Sequence, residues 1–219
     1  MITGAIFDRD GLLFDTETIY QRIWAELADE YGVSLDGNFT RRISGSSGAA
    51  AAEIMKEYYT VGDAGVIAKK CGARMLELSA EHIDVMPGVP EILAFLKSQR
   101  IKIAVASGSS TEQIAQNLKT TGLSDFFDAM VGGTELKYGK PMPNIFLYAA
   151  EKIQCDSHDC FVFEDSPNGI IAAHAAEAHP IMIPNLMEAT DELRAISDGV
   201  YPSMHEALEA IRSNPEHFQ

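Results

Sequence analysis

Basic residues are scarce in this chain: 17 Lys and Arg stand against 32 Asp and Glu, a net charge of −15. Such a surface repels nucleic acid and anionic membranes, so no partner of either kind is expected. An anionic small molecule would need local compensation by a metal or a lysine. Cysteine is scarce too. The three present, Cys71, Cys155 and Cys160, are odd in number and lack metal-ligand spacing, which argues against a disulfide framework and a zinc site. Reduced thiols in a cytoplasm are the expectation. No apolar run approaches the ~20 residues of a membrane span, and residues 1–10 read as a strand rather than a signal peptide. Internal repeats and low-complexity segments are missing as well. A monomeric cytoplasmic protein is expected.

What is there is enough for a full core: 219 residues, 46% hydrophobic and 22% charged, fit one or two soluble domains. Residues 2–11, Ile-Thr-Gly-Ala-Ile-Phe-Asp-Arg-Asp-Gly, form an apolar run that ends in two acids and a glycine. This reads as a buried strand with chemistry at its exit. Side chains two apart on an extended chain leave on one side, so Asp8 and Asp10 can share a pocket while Arg9 points elsewhere. Gly11 lets the backbone turn out of the sheet. Two such carboxylates repel by roughly 4 kcal/mol at about 4 Å in an effective dielectric near 20, so one holds a proton or both share a cation. An acidic turn after an edge strand would explain the same residues without any chemistry.

The chain then changes character twice. Ile19, Ile23, Leu27 and Tyr31 make one stripe of an amphipathic helix that stops at Gly32. Residues 37–60 and 61–82 continue in helical patterns, broken at 44–48 and at Gly62, with no convincing strand. From residue 87 onward, short apolar runs at 101–107, 129–132, 160–164 and 181–184 alternate with helical stretches at 90–99, 111–120, 143–153 and 168–177. That alternation predicts right-handed crossovers and a Rossmann-like parallel sheet with helices on both faces. The expected α/β core is therefore discontinuous, 1–14 with 87–219, around an inserted all-α domain at 15–86. Residues 213–219 read as a frayed tail.

Ligands of open parallel sheets bind beyond the carboxyl ends of the strands. There this chain places Ser107-Gly108-Ser109-Ser110-Thr111 before a helix, a turn whose amides and hydroxyls suit a phosphate, although Ser and Thr also serve as plain N-caps. It places Glu164-Asp165-Ser166 at another strand end, and Lys140 in the loop before a third helix. Four carboxylates from two strands cannot all stay ionised without a cation, and a few hard oxygen ligands point to Mg²⁺.

In order and separation, Asp8-Arg9-Asp10-Gly11, Ser107, Lys140-Pro141 and Glu164-Asp165-Ser166 resemble the four motifs of the haloacid dehalogenase superfamily, in its branch of β-phosphoglucomutases and small-metabolite phosphatases. The resemblance covers nearly the whole chain, with the helical block where this branch carries its cap domain. It implies Asp8 as the nucleophile that forms an aspartyl-phosphate and Asp10 as the acid/base. Mg²⁺ would be held by Asp8, Asp165, the Asp10 backbone carbonyl and Glu164, directly or through water. Ser107 and Lys140 would bind the transferring phosphoryl group. Thr16, Tyr20, Ser46, Ser47, Gly108 and Ser109 would line the substrate side. The implied function is a Mg²⁺-dependent phosphatase acting on small phosphorylated metabolites such as sugar phosphates.

Two departures stand out. The residue between the paired aspartates is normally apolar in this family, and Arg9 is not; a guanidinium there must find a partner or reach solvent. Where the mutase carries a cap arginine, a lysine after the serine strand and a hinge histidine, an ungapped comparison finds Gly48, Ser110 and Tyr20. A phosphatase is therefore favoured over a sugar-phosphate mutase, which would need Arg41 or Arg42 to hold the second phosphate. A catalytically inactive phospho-binding regulatory protein is the remaining alternative.

Overall fold

The computed structural model describes residues 1–43, 48–60 and 64–214. Its centre is a six-stranded, all-parallel sheet in the order β3-β2-β1-β4-β5-β6. The strands are β1 (Gly4–Phe7), β2 (Lys102–Ser107), β3 (Ala129–Gly132), β4 (Cys160–Glu164), β5 (His179–Met182) and β6 (Gly199–Val200). Helices α1 (Thr16–Tyr31), α2 (Gly37–Ile43), α3 (Gly48–Tyr59) and α4 (Ala64–Glu81) follow β1. Helices α5 (Val89–Ser98), α6 (Thr111–Thr121), α7 (Asn144–Lys152), α8 (Pro167–Ala175), α9 (Asp191–Ala195) and α10 (Met204–Arg212) belong with the strands.

The strands read as unbroken apolar runs because both faces of the sheet are covered, yet the period of two persists inside them. Ala5, Phe7, Ile103, Val105, Phe161 and Phe163 pack with the apolar stripes of α5, α6 and α10. Ile6, Ala104, Ala106 and Val162 pack on the other face with α7 and α8. Phe7 stacks on Phe163 at 4.4 Å between ring centres, which locks β1 to β4.

The helical segment has a core of its own. Trp24 and Leu27 of α1 meet Phe39 of α2, Met55 and Tyr59 of α3, and Ile67 and Met75 of α4. Trp24 and Phe39 pack edge-to-face at 5.4 Å, and the Tyr59 hydroxyl donates to the Trp24 carbonyl at 2.8 Å. The two chain crossings between this body and the sheet lie side by side. Asp15 N–H donates to the Asp84 carbonyl at 3.0 Å, Met86 N–H to the Leu13 carbonyl at 2.9 Å, and Phe14 and Val85 form an antiparallel bridge.

The structure differs from the sequence reading mainly near the C-terminus. The strand expected at 181–184 forms two residues earlier, at β5, because Pro180 on the strand next to the edge does not stop parallel pairing with β4. The sequence patterns above place no element at β6, α9 or α10. β6 is only two residues long, too short for a periodic signal, and α9 is a five-residue helix marked by its Thr190 N-cap. Among the described residues no helix is long and apolar enough to cross a membrane. All three cysteines are free thiols.

Candidate active site

Three strand ends meet at one edge. Asp8 is the first residue past β1, and its N–H donates to the Phe163 carbonyl at 3.0 Å, which sets it beside Glu164 at the end of β4. Ser107 ends β2 on the opposite side of β1. Lys140, from the loop before α7, donates to both Asp8 Oδ1 and Glu164 Oε1. Its surroundings explain its charge: burial alone would lower the lysine, but Asp8 and Glu164 together hold it above its usual range.

Glu164 is fully buried and held from both sides. Its Oε2 accepts from the N–H of Asp165 at 3.1 Å, the N–H of Ser166 at 3.0 Å and the Ser166 hydroxyl at 2.9 Å. The same hydroxyl caps α8, accepting from Gly169 N–H at 3.1 Å. Gly169 is a packing requirement here, since a Cβ on it would lie 1.9 Å from the Glu164 carboxyl carbon. Gly11 has φ +74°, and a Cβ there would meet Asp165 Oδ2 at 2.5 Å. Asn185 completes this side by donating to the Gly11 carbonyl at 3.0 Å.

Carboxylate oxygens of Asp8, Glu164 and Asp165 all lie within 4.8 Å of one another. Burial, then the charges of Glu164 and Asp10, push Asp8 up to about 7 against the opposing pull of Lys140. Asp165 is raised well above the usual carboxylate range by burial and by Glu164 and Asp8. Three oxygen donors this close, of which two resist ionisation for want of positive charge, fit a small hard divalent cation. Asp10, expected to bind the metal through its backbone carbonyl, contributes no side-chain oxygen to this group.

Asp10 sits apart, in a different environment. Its Oδ2 accepts from the Ser107 hydroxyl at 2.9 Å and the Ser109 hydroxyl at 3.2 Å, and its Oδ1 pairs with Arg9 Nη1 at 2.7 Å. Burial works to raise Asp10, but the Arg9 charge and the hydroxyls of Ser107, Thr16 and Ser109 outweigh it and hold it below its ordinary value. The expectation that Arg9 points elsewhere is corrected. Its side chain leaves on the Phe7 side of the sheet, under α6, but it is long enough for Nη1 to return to Asp10 and Ser109.

The remaining expected residues divide into three groups. Ser109 N–H donates to Ser107 Oγ at 3.1 Å, so the turn after β2 is held by its own hydroxyls. Ser110 is the N-cap of α6 in a full capping box with Gln113, so at this position the plain capping reading holds. Gly108 has open space where a Cβ would be, so no steric demand explains it. From the helical side, Thr16 is buried beside Asp10 with an Oγ1 that makes no full hydrogen bond, and Tyr20 stacks on Trp24 at 5.6 Å. Ser46 and Ser47 lie outside the described residues.

Glu17 and Asn117 escaped the sequence reading. Glu17 stands in the first turn of α1, where an acid ordinarily just complements the helix dipole. Here its Oε2 is buried without a hydrogen-bond partner, and burial with the charges of Asp10 and Asp15 raises it to about 7. Asn117 had a visible signal: it lies on the stripe of α6 shared with Ile114 and Leu118, where an apolar side chain is normal.

Residues 5–183 match the family described as haloacid dehalogenase-like hydrolases. The chain is 34% identical over 174 residues to a phosphorylated carbohydrates phosphatase of Thermotoga maritima, covering 79% of this chain and 81% of that protein. It is 30% identical over 210 residues to hexitol phosphatase B of Escherichia coli, covering 94% of each. Among solved structures, a β-phosphoglucomutase of Clostridium difficile superposes with a TM-score of 0.80 at 26% identity, over 100% of this chain and 97% of that one. With its acids, serine and lysine at the carboxyl ends of a 3-2-1-4-5-6 sheet, this chain belongs to the haloacid dehalogenase-like hydrolase family.

Proposed function

We propose that this chain is a Mg²⁺-dependent phosphatase of small phosphorylated metabolites, with sugar and polyol monophosphates as its substrate class. The observation that carries the reading is the separation of two aspartates into unlike environments. Asp8 lies among Lys140, Glu164 and Asp165, while Asp10 two residues on is bonded by Arg9 and the serine turn. Carboxylates whose proton affinities are pushed apart suit two different roles.

In this reading the Asp8 carboxylate attacks phosphorus, the phosphorus–oxygen bond to the alcohol breaks, and Asp10 delivers a proton to the departing oxygen. Asp10 is held as the anion in the free protein, so that proton is the one a monoanionic ester brings. Water then attacks the aspartyl-phosphate, its proton passing to Asp10, and the bond to Asp8 breaks to release phosphate. Asp8, Glu164 and Asp165 would hold Mg²⁺, which supplies neutralisation of the phosphoryl oxygens and keeps Asp8 ionised. Lys140 neutralises the same anion from the other side, and Ser107 with Ser109 donates hydrogen bonds to it.

We read residues 1–14 and 87–219 as the catalytic core and 15–86 as a cap whose connections near 14–16 and 82–88 act as hinges. Thr16, Tyr20 and Glu17 would reach the substrate from the cap side. Against a mutase, Ser110 uses its hydroxyl to cap α6 and supplies no charge for a second phosphate. The test is phosphate release from a panel of sugar and polyol monophosphates with Mg²⁺. Turnover that Asp8→Asn abolishes, in a protein that still folds, is the expected result. Interconversion of hexose 1- and 6-phosphates with almost no free phosphate would replace this reading by the mutase.

A further inference from the structure

We infer that Arg9 and Asn117 are a positioning pair that locks one oxygen of Asp10, Oδ1, and leaves Oδ2 as the oxygen that carries the proton. The inference rests on Asp10 being the acid/base of the proposed phosphatase.

The geometry is that of a clamp built from beneath. Arg9 has none of its side chain exposed, against 27% for Asp10. Nε donates to Asn117 Oδ1 at 2.8 Å, and Nη2 donates to the same oxygen. Nη1 donates to Asp10 Oδ1 at 2.7 Å and to Ser109 Oγ at 2.8 Å. The Ser109 hydroxyl passes its own hydrogen to Asp10 Oδ2 at 3.2 Å, which closes a ring of three groups, Arg9, Ser109 and Asp10, with Asn117 holding the guanidinium from outside it. Both Asp10 oxygens are thus bonded, but unequally. Oδ1 faces a buried cation fixed to α6, and Oδ2 faces two hydroxyls that can turn to a substrate.

The cost of this arrangement argues that it does something. Burying a guanidinium costs several kcal/mol before pairing, and a pair of this kind is often no more stable than apolar residues of the same volume. Asn117 moreover leaves its Nδ2 buried with no partner, a desolvation loss that an apolar residue on the α6 stripe would avoid. Its carbonyl oxygen is the group in use. What that oxygen achieves is to fix the roll of the Arg9 plane, which a single pairing with Asp10 would leave free, and a catalytic group needs its supporting shell held to about 0.5 Å.

Replacing the clamp as a unit keeps the core filled. In Arg9→Met/Asn117→Leu, apolar groups occupy the volume and Asp10, partly exposed, can be hydrated. With p-nitrophenyl phosphate the leaving group needs no proton, so the first step survives while the step that activates water slows. The expected result is a burst of about one nitrophenolate per enzyme, then steady turnover lowered about 10- to 100-fold with little change in KM. Alkyl phosphates, which need the proton in both steps, should lose about tenfold more than the aryl ester. Arg9→Lys, which keeps the charge but not the fork, should fall between. If the double variant fails to fold, Arg9→Lys must show the same burst and the same ordering of esters. Equal losses for aryl and alkyl esters without a burst in a folded variant would overturn the clamp and leave Arg9 a structural residue. Absence of any wild-type turnover would instead sink the phosphatase reading itself.

Discussion

Glu17 shows how one carboxyl can register its neighbours. Its pKa in the folded protein is raised to about 7 by burial and by Asp10 and Asp15. The folded state therefore binds this proton more strongly than the unfolded chain, and Glu17 weakens folding progressively as pH rises through the window from about 4.5 to about 7. Below that window the penalty is absent. Glu17→Gln should accordingly leave stability near wild type at pH 4, below the window, and raise it at pH 8 by about 1–3 kcal/mol, less than the roughly 3.4 kcal/mol of the full shift at 1.36 kcal/mol per unit because the group is only partly buried. Urea unfolding of both proteins in chelator at the two pH values measures this. An equal difference at both would mean that Glu17 is ionised in the fold without strain.

The meeting of β4 with α8 is the element contact on which the site depends most. Gly169 stands in the first turn of α8 directly against the Glu164 carboxylate, which cannot swing aside because Asp165, Ser166 and Lys140 all hold it. Gly169→Ala should therefore cost about 1–3 kcal/mol, as overpacking of a rigid site does, even though alanine favours a helix. Lys140 and Asp8 would move with Glu164, so activity should fall more than stability does. Thermal melts and phosphate release on the same preparation separate the two. A stable variant of wild-type activity would show that Glu164 is free to relocate. The strand ends themselves were legible in the sequence because an apolar run followed by acids or serines marks both a buried strand and its exit. The packing of α8 on β4 was not, since nothing in Pro167-Asn168-Gly169 distinguishes a close approach from an ordinary helix start with Ser166 as its cap.

For the chain as a unit, the acidic edge and the net charge of −15 lead to one expectation about cations. A divalent ion that binds only the folded state stabilises it by about 2.7 kcal/mol at 100 times its Kd, or about 5–10 °C in Tm for a chain of this size. Mg²⁺ should produce such a shift and excess chelator should remove it together with activity. Asp165→Ala should reduce the shift more than Glu164→Ala, because the Glu164 oxygens are already engaged by Lys140, two amides and a hydroxyl. Full turnover in chelator would end the metal-dependent reading.

Local patterns sufficed for the alternation of strands and helices, the succession of helices α1 to α4 after β1, and the placing of Asp8, Ser107, Lys140 and Glu164 at one sheet edge. Each of these follows from periodicity and from the rule that parallel strands deliver their ends to a common side. What packing alone could settle were contacts between residues far apart in sequence. Arg9 meets Asn117 only because β1 lies under α6. Glu17 becomes a buried acid only because α1 begins at the crossing beside Asp10. Burial and charge proximity are properties of the assembled chain, so the proton affinities that divide Asp8 from Asp10 could not be read from an Asp-Arg-Asp triplet. They arise from Lys140, Glu164 and two serines brought to it from three other strand ends and loops.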